Sequence, residues 1–383
     1  MEKISEQQLT IFDELCEEVK ITKPIRLIEL FAGYGSQAMA LERLGADFTH
    51  HKVIEFDRFA VNSYNAVHGT DFEPTDIRNI HASDLEITDT EKYCYIMTYS
   101  FPCTDLSVAG KMKGMKKGSG TRSGLLWEVE RLLNEMSERP QILLMENVAQ
   151  VHGKTNIEDF RQWISFLESI GYQNFWQDLN AKDFGVPQNR RRCFMVSLLG
   201  NYVYHFPEPI SSGRTKLKDL LDHNVDERFY LKSEKAEKLI KQLIVANIPS
   251  GNENVDTVLA TKQGTVLERQ TDVGATLCSR DYKGLRNRDN DNVVVEKISI
   301  RQETKKEFIN RKVKIYDEYE YRIRRLTPKE YGRLMGVSDE DYEKMATVNS
   351  NTQLYKQFGN SIVVDVLCAI FKQLNIEQEK ENE

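Results

Sequence analysis

Residues 25–38, IRLIELFAGYGSQA, predict a strand that turns sharply into a helix. The apolar run Ile25–Phe31 is typical of a buried strand, and residues 36–44 have a helical pattern that ends at Gly45. Between them, Gly33 and Gly35 fit G-x-G-x-x-G/A, a pattern in which glycines let the backbone approach a group bound at the N-terminus of the helix. This stretch favours an α/β fold with an adenosine-containing cofactor beside its first strand, although a tight turn without a ligand would use the same glycines.

Strands and helices alternate from this stretch to about residue 200. Further strands are predicted at residues 49–56, 93–101, 141–145 and 193–199, and a helix is predicted at 156–170 between Asn156 and Gly171. Such alternation implies a doubly wound, largely parallel sheet with helices on both faces. An amphipathic helix is also predicted at 5–20, before the first strand, and a closing helix at 361–374.

The charge and texture of the chain change after residue 200. Residues 201–325 carry 24 Lys and Arg against 20 Asp and Glu, a net +4, whereas the rest of the chain carries 28 against 39, a net −11. Short β-rich runs and many Asn and Asp residues predict a separate, smaller and irregular β-rich domain there. Helical signals return with Thr327-Pro328-Lys329-Glu330, which has a cap, a proline at the first helical position and an acid at the third.

Composition excludes several classes of protein. With 383 residues and 40% hydrophobic residues, the chain is long and apolar enough for about two globular domains. No apolar run approaches the ~18–20 residues of a membrane span, and the polar start MEKISEQQLT is unlike a signal peptide. The six cysteines form no CxxC pair, so a cytoplasmic protein without a zinc module or other metal is expected.

Three polar groups follow predicted strands, and strand ends in such sheets meet at one crevice. Glu55 lies 22 residues beyond Gly33 and is placed to accept from ribose hydroxyls. Cys103 follows Pro102 after a strand, and Glu146 opens Glu146-Asn147-Val148 after another. Singly, such a cysteine is usually a small buried hydrophobe and such a glutamate a structural hydrogen-bonding group.

Two further elements are less specific alone. In Gln188-Asn189-Arg190-Arg191-Arg192 the first and third arginines would share one side of a strand, where two guanidiniums suit an anionic ligand. In the stretch 355–361, YKQFGNS, Asn360 or Ser361 would simply cap the last helix.

The order of these elements resembles that of the DNA (cytosine-5)-methyltransferases, bacterial or phage branch. The matching elements, in chain order, are FAGYG at 31–35, Glu55, the Pro102-Cys103 loop, ENV at 146–148, QNRRR at 188–192, RLTPKE at 325–330 and GNS at 359–361. The resemblance covers about residues 25–200 and 322–375. It implies a Rossmann-like methyltransferase domain made of 1–200 plus 326–383, with 201–325 as the target-recognition domain.

The resemblance also implies a reaction and a role for each matching residue. The enzyme would transfer a methyl group from S-adenosylmethionine to carbon 5 of cytosine, leaving S-adenosylhomocysteine. Cys103 would attack carbon 6, Glu146 would hold the base, and Arg190 and Arg192 would position it. The residues implied for the cofactor are Phe31, Gly33, Gly35, Glu55, Asp76, Ile77, Pro102, Asn360 and Ser361.

A stacked base is inaccessible, so the enzyme would flip its target out of duplex DNA. The basic, glycine-rich segment 111–122 lies where the family has a mobile loop over DNA. The residues expected to contact DNA are Lys113, Lys116, Lys117 and Arg122 in that loop, and Arg280, Arg286 and Arg288 in 201–325. Residues 274–277, GATL, resemble a Thr-Leu element of target-recognition regions.

Other functions remain open from sequence. The same chemistry on transfer RNA is the nearest alternative, but the length and basic charge of 201–325 favour DNA. A dinucleotide oxidoreductase would leave Cys103, Glu146 and the arginines unexplained, and a catalytically dead DNA-binding module would not need them. A cytoplasmic enzyme of a prokaryotic or phage-infected cell is expected, without a membrane partner. A restriction-modification role with a cognate restriction endonuclease, without direct contact, and an orphan or phage role both remain open.

Overall fold

The computed structural model describes residues 17–106, 114–210, 215–232, 237, 257–262, 265–270, 273–279, 281, 291–299 and 319–376. The strands are β1 Glu17–Glu18, β2 Ile25–Leu30, β3 Phe48–Ile54, β4 Cys94–Tyr99, β5 Ile142–Val148, β6 Tyr172–Asn180, β7 Gln188–Asn189, β8 Arg191–Leu199, β9 Tyr202–Val203, β10 Thr257–Lys262, β11 Thr265–Gln270, β12 Gly274–Ala275, β13 Asp291–Ser299 and β14 Tyr319–Arg325. The helices are α1 Ser36–Arg43, α2 Arg58–His68, α3 Leu126–Glu135, α4 Ile157–Ser169, α5 Pro328–Arg333, α6 Asp339–Val348, α7 Asn351–Asn360 and α8 Val364–Lys372.

A six-stranded sheet in the order β3-β2-β4-β5-β8-β6 forms the centre of the fold. The first four strands are parallel, whereas β8 runs antiparallel to both β5 and β6. The predicted doubly wound α/β sheet is therefore confirmed, with a mixed rather than largely parallel pairing. The difference arises because β6 returns to β8 through a short connection, which suits antiparallel neighbours and needs no crossover helix.

The chain enters the sheet in the middle and winds outward in both directions. From β2 it goes to the edge strand β3, and then to β4 on the other side of β2. This reversal leaves a crevice at the carboxyl ends of β2 and β4, the place where ligands bind in such sheets. The turn after β2 and the Pro102-Cys103 loop after β4 both open onto that crevice.

Apolar side chains cover both faces of the sheet. One core joins β2 and β4 to α1 and α8 through residues such as Leu41, Leu367 and Phe371, and the other packs α3 and α4 through Leu133 and Trp163. Helix α8 also touches α1 through polar contacts: Arg43 pairs with Asp365 at 3.3 Å. Residues 364–372 therefore cover the same face of the sheet as α1.

Some element boundaries differ from the sequence prediction. The predicted helix 5–20 is wrong in its described part, because Glu17–Glu18 is a strand that pairs with β9. Strand β5 runs three residues further than predicted, so Glu146 lies inside it and not after it. The last helix begins at Val364 and not at Ser361, because residues 361–363 are extended.

A second sheet lies in the region 201–325. It contains four antiparallel strands in the order β11-β10-β13-β14. The short strand β12 leaves this region and pairs in parallel with β7, which precedes the arginine row. This pairing connects the β-rich region directly to the crevice of the main sheet.

Among the described residues, one stretch is long and apolar enough to cross a membrane by length and composition, Asn351–Lys372. It consists of α7 and α8, and 67% of its most apolar window is buried inside the protein. The apolar character of these helices is that of core helices.

Candidate active site

The turn after β2 has an unusual backbone. Phe31, Gly33 and Gly35 all have positive φ, at 59°, 61° and 83°. A side chain at Gly35 would lie within 2.4 Å of the His68 ring, so only glycine fits, whereas a Cβ at Gly33 would meet nothing within 4 Å. Positive φ at a residue such as Phe31 is uncommon and clusters at ligand sites, where the fold holds it in place.

Glu55 holds this turn to the end of β3. One carboxylate oxygen accepts from the Gly33 amide at 3.0 Å and the other from the Asp57 amide at 2.8 Å. Burial raises the pKa of Glu55, and these two amide donors oppose the shift. Each oxygen of a carboxylate can accept more than one hydrogen bond, so the group can still receive ribose hydroxyls.

An open cradle surrounds Glu55. The Phe56 ring beside it is 74% exposed. The Thr75 amide donates to the Glu55 carbonyl at 2.7 Å, which brings the Asp76-Ile77 pair to the same edge. Ile77 is buried, and the Asp76 carboxylate binds Arg78, which lowers the pKa of Asp76.

The C-terminal part of the chain closes the other side of the turn. The hydroxyl of Ser36, at the start of α1, lies 3.1 Å from the hydroxyl of Ser361. Asn360 is exposed as the last residue of α7. The residues around this cradle fit S-adenosylmethionine, because a carboxylate suits its ribose, an exposed ring suits its adenine, and paired hydroxyls suit its amino-acid end.

The Pro102-Cys103 loop is fixed by two polar residues. Asn147 in β5 donates to the Phe101 carbonyl at 2.9 Å and accepts from its neighbour's amide, Val148, at 2.8 Å. Ser123 donates to the Pro102 carbonyl at 2.6 Å. These contacts hold Cys103 half-buried at the rim of the crevice.

Cys103, Glu146, Arg190 and Arg192 form one electrostatic group. Glu146 is buried and pairs with Arg192, Nε to Oε1, at 3.3 Å. Burial raises the pKa of Glu146 despite the two arginines. Burial, followed by the nearby Glu146 carboxylate, raises the pKa of the Cys103 thiol, while Arg192 and Arg190 oppose the shift.

The arginine row alternates as predicted, but its two inward members make different contacts. Arg191 points outward to Asp178, while Arg192 reaches Glu146. Arg190 is 3% exposed and donates to three backbone carbonyls: Leu277 at 3.1 Å, Gly359 at 3.2 Å and Ser361 at 2.5 Å. In this structure, the terminal nitrogens of Arg190 therefore bind the chain itself, whereas the expectation was contact with a base.

Residues 274–279 lie against the active-site crevice. The Gly274 amide donates to the Pro187 carbonyl at 2.8 Å, and the Leu277 amide donates to the Gln188 side chain at 3.2 Å. A side chain at Gly359 would collide with the Cys278–Ser279 backbone, at 2.2 Å from the Ser279 nitrogen. The GATL element is thus held between the arginine row and the end of α7.

The expected DNA contacts are only partly described. Lys116 and Arg122 are exposed, and Lys117 pairs with Glu130 while its ammonium lies 5.3 Å from the Trp127 ring centroid. The other expected contacts, Lys113, Arg280, Arg286 and Arg288, lie outside the described residues.

Several residues of the site escaped sequence reasoning. Asn147 and Gln188 lie in the ENV and QNRRR elements but had no role of their own there, and Ser123 lies in no predicted element. All three make contacts with segments that are distant along the chain. Phe56 had a signal, an aromatic residue directly after the ribose-binding candidate, but its exposure only became evident in the fold.

The fold and this site define an α/β methyltransferase, and comparison with known proteins identifies its family. The family model described as C-5 cytosine-specific DNA methylase matches residues 25–375. The type II methyltransferase M2.ScrFI of Lactococcus lactis subsp. cremoris is 32% identical over 91% of this chain and 99% of its own length. The orphan methyltransferase M.SPRI of Bacillus phage SPR is 30% identical over 91% of this chain and 97% of its own.

A solved structure shows the same fold. The crystal structure of the S. pombe Dnmt2 methyltransferase superimposes with a TM-score of 0.61 at 20% identity, over 91% of this chain and 98% of that one. The chain belongs to the C-5 cytosine-specific DNA methylase family. It is a DNA cytosine-5-methyltransferase that uses S-adenosylmethionine.

Proposed function

We propose that Cys103 adds to carbon 6 of a cytosine flipped out of a specific sequence in duplex DNA. The observation that carries this proposal is the grouping of a half-buried thiol, a buried carboxylate and two arginines at the crevice beside the cofactor cradle. S-adenosylmethionine supplies the methyl group when it is bound.

The four residues would divide the chemistry between them. Addition of the Cys103 thiolate to carbon 6, with a proton placed on ring nitrogen 3 by Glu146, makes carbon 5 nucleophilic enough to take the methyl group. A base then removes the proton from carbon 5, the bond from sulfur to carbon 6 breaks and releases the thiolate, and the proton on nitrogen 3 returns to Glu146. Proton transfers of this kind typically contribute about 10²–10⁴-fold each.

The pKa shifts of Glu146 and Cys103 favour an unreactive thiol until cytosine binds. Burial favours the protonated form of Glu146, which is the form that can donate to the base. Burial first, and repulsion from a charged Glu146 second, raise the pKa of the Cys103 thiol and favour its protonated form. Once Glu146 is protonated and bound to cytosine, that repulsion is lost and the arginines favour the thiolate.

We propose distinct parts for the two inward arginines. Arg192 would orient Glu146 through their ion pair, and in the complex it would also reach the base. Arg190 would favour the thiolate by its charge, while its three carbonyl contacts hold the GATL element, residues 274–277, to the end of α7 beside the cofactor cradle.

The cofactor would bind in the cradle around Glu55. We assign its ribose to Glu55, its adenine to Phe56 and the Asp76-Ile77 edge, and its amino-acid end to Asn360, Ser361 and the N-terminus of α1. The turn Phe31–Gly35 and Pro102 would border the reacting methyl group.

We also propose that the chain is divided into a catalytic domain and a target-recognition domain. Residues 1–200 plus 326–383 would form the catalytic domain, a division that the packing of α8 on α1 supports. Residues 201–325 would read the target sequence through Arg280, Arg286 and Arg288, while Lys113, Lys116, Lys117 and Arg122 contact phosphates. The relatives include a type II and an orphan methyltransferase, so a cytoplasmic restriction-modification role with a cognate endonuclease and an orphan role both fit this proposal.

The direct test is methyl transfer from labelled S-adenosylmethionine to duplex DNA, with transfer RNA offered in parallel and Cys103→Ala as the matched variant. We expect label in DNA alone, dependent on Cys103, with bisulfite sequencing placing it at one short motif. Label in transfer RNA with none in DNA would overturn the choice of substrate, and undiminished transfer by Cys103→Ala would overturn the mechanism.

A further inference from the structure

A second group of polar side chains lies against the cofactor turn, where the last turns of α1 and α2 meet β3. Glu42 ends α1, His50 lies in the edge strand β3, and His68 ends α2. Their ligand atoms, Glu42 Oε1, His50 Nε2 and His68 Nδ1, all lie within 4.8 Å of one another. Oε1 of Glu42 lies 2.8 Å from Nδ1 of His68 and 3.7 Å from Nε2 of His50.

These distances are close to those of a coordination shell. Ligand atoms about 2.0–2.1 Å from a tetrahedral Zn²⁺ are separated from one another by about 3.3–3.4 Å. The two measured distances from Glu42 bracket that value, so small side-chain rotations would complete three ligands. His68 is fully buried and Glu42 is 44% exposed, so the group is enclosed on one side and open to solvent on the other.

Both histidines are oriented by their other ring nitrogen. His68 Nε2 lies 3.3 Å from the Tyr34 carbonyl, which can only accept, so this nitrogen carries a proton. His50 Nδ1 lies 2.7 Å from the Tyr64 hydroxyl, which itself donates to buried Glu29 at 2.5 Å, so this nitrogen also carries a proton. Metal-binding histidines are held in this way, with the second nitrogen donating to a carbonyl or to a chain that ends in a carboxylate.

The remaining nitrogens, His50 Nε2 and His68 Nδ1, therefore both face Oε1 of Glu42. Two imidazole nitrogens and a carboxylate oxygen that converge on one point form a ligand set for a cation. We propose that Glu42, His50 and His68 bind a divalent transition metal of the Zn²⁺ type, with water as the fourth ligand.

The position of the group gives the metal a structural role. His68 contacts the Tyr34 carbonyl within the cofactor turn and fills the space that a side chain at Gly35 would need. A metal that fixes His68 would therefore fix the back of this turn. The site joins the ends of α1 and α2 to β3, so binding would stabilise the folded chain.

A second candidate group in the described chain is weaker. His152, Asp178 and Cys193 also lie within 4.8 Å of one another, but Asp178 already binds Arg191 at 2.8 Å and Cys193 is fully buried. His152 therefore offers a matched control for the loss of a histidine beside a carboxylate.

The test uses the full chain after chelation and removal of the chelator. Zn²⁺ binding is followed by calorimetry, Co²⁺ binding by its visible absorption, and thermal unfolding is recorded with and without Zn²⁺. The variants are Glu42→Gln and His50→Gln, with His152→Gln as the control. Circular dichroism of each chelated variant establishes that it is folded.

We expect one Zn²⁺ per chain in the parent and in His152→Gln, a Co²⁺ spectrum of a tetrahedral site, and a higher Tm with Zn²⁺. Glu42→Gln and His50→Gln should each bind at least about tenfold more weakly and lose the rise in Tm. No stoichiometric binding by the folded parent would show that a proton occupies the site, and equal affinity in all variants would place the metal elsewhere. Either result overturns the proposal.

Discussion

Replacing Arg190 by lysine is expected to separate three parts of the active site while keeping a positive charge there. The Arg190 guanidinium reaches the carbonyls of Leu277, Gly359 and Ser361 at once. Lysine has one nitrogen at the end of a flexible stem and cannot reproduce a planar fork. The GATL element and the end of α7 would lose the guanidinium that donates to both.

The size of the effect follows from burial. Arg190 is 3% exposed, so carbonyls that lose their donor have no free access to water. If the ammonium keeps one of the three contacts, two carbonyls lose theirs, at about 1–3 kcal/mol each, or about 2–6 kcal/mol of unfolding free energy. At roughly 2 °C per kcal/mol for a chain of this size, the Tm should fall by about 4–12 °C.

Arg191→Lys is the matched control. Arg191 is 66% exposed and pairs with Asp178 at 2.8 Å, a type of contact worth about 0–1 kcal/mol. Thermal unfolding and urea titration of the two variants measure the difference, and binding of S-adenosylmethionine should weaken only in Arg190→Lys because Ser361 borders the cradle. Equal changes in Tm for Arg190→Lys and Arg191→Lys would refute the reasoning.

Three further predictions test other parts of the site. Phe56→Ala should raise the Kd of S-adenosylmethionine about tenfold, since stacking on a base is worth about 1–3 kcal/mol, and should leave Tm unchanged because the ring is 74% exposed; Tyr202→Ala is the control in calorimetry. Alkylation of Cys103 by iodoacetamide, followed by peptide mass spectrometry, should accelerate only at a pH above that of an ordinary exposed thiol, because burial and Glu146 raise the pKa of Cys103. Glu146→Gln should shift that profile to lower pH and speed alkylation, yet slow methyl transfer by about 10²–10⁴-fold; a shift to higher pH would contradict the electrostatics. Neutralising Lys113, Lys116 and Lys117 together should reduce the slope of log affinity for duplex DNA against log salt by about 2–3. Neutralising Lys23 and Lys92, which precede β2 and β4 at the amino ends of these strands, should leave the slope unchanged.

Sequence patterns that extend over a few residues predicted much of the fold. The strand, the glycine turn and the helix of 25–44 were predicted almost to the residue, because hydrophobic periodicity and glycine positions act over a few residues. The capping box of Thr327 and Glu330 was confirmed for the same reason. The antiparallel direction of β8 was not predictable in this way, because strand direction depends on partners that are distant along the chain.

The candidate site was also predictable only in part from sequence. Residue types at strand ends indicated which residues meet at the crevice, but not how each is held. The contact between Ser36 and Ser361 spans 325 positions, and that between Asn147 and Phe101 spans 46. Arg190 is the clearest case: the alternation of the row indicated its direction, whereas its three carbonyl partners depend on segments that only the tertiary fold brings together.

The most direct test of the central claim is to trap the covalent step. Duplex DNA containing 5-fluorocytosine lets carbon 5 accept the methyl group but leaves no proton to remove, so the bond between sulfur and carbon 6 should persist. With S-adenosylmethionine present, we expect a complex that survives denaturation, with mass spectrometry placing the DNA on Cys103 and no complex in Cys103→Ala. A folded, methylating enzyme that forms no such complex, or one linked through another residue, would contradict the account.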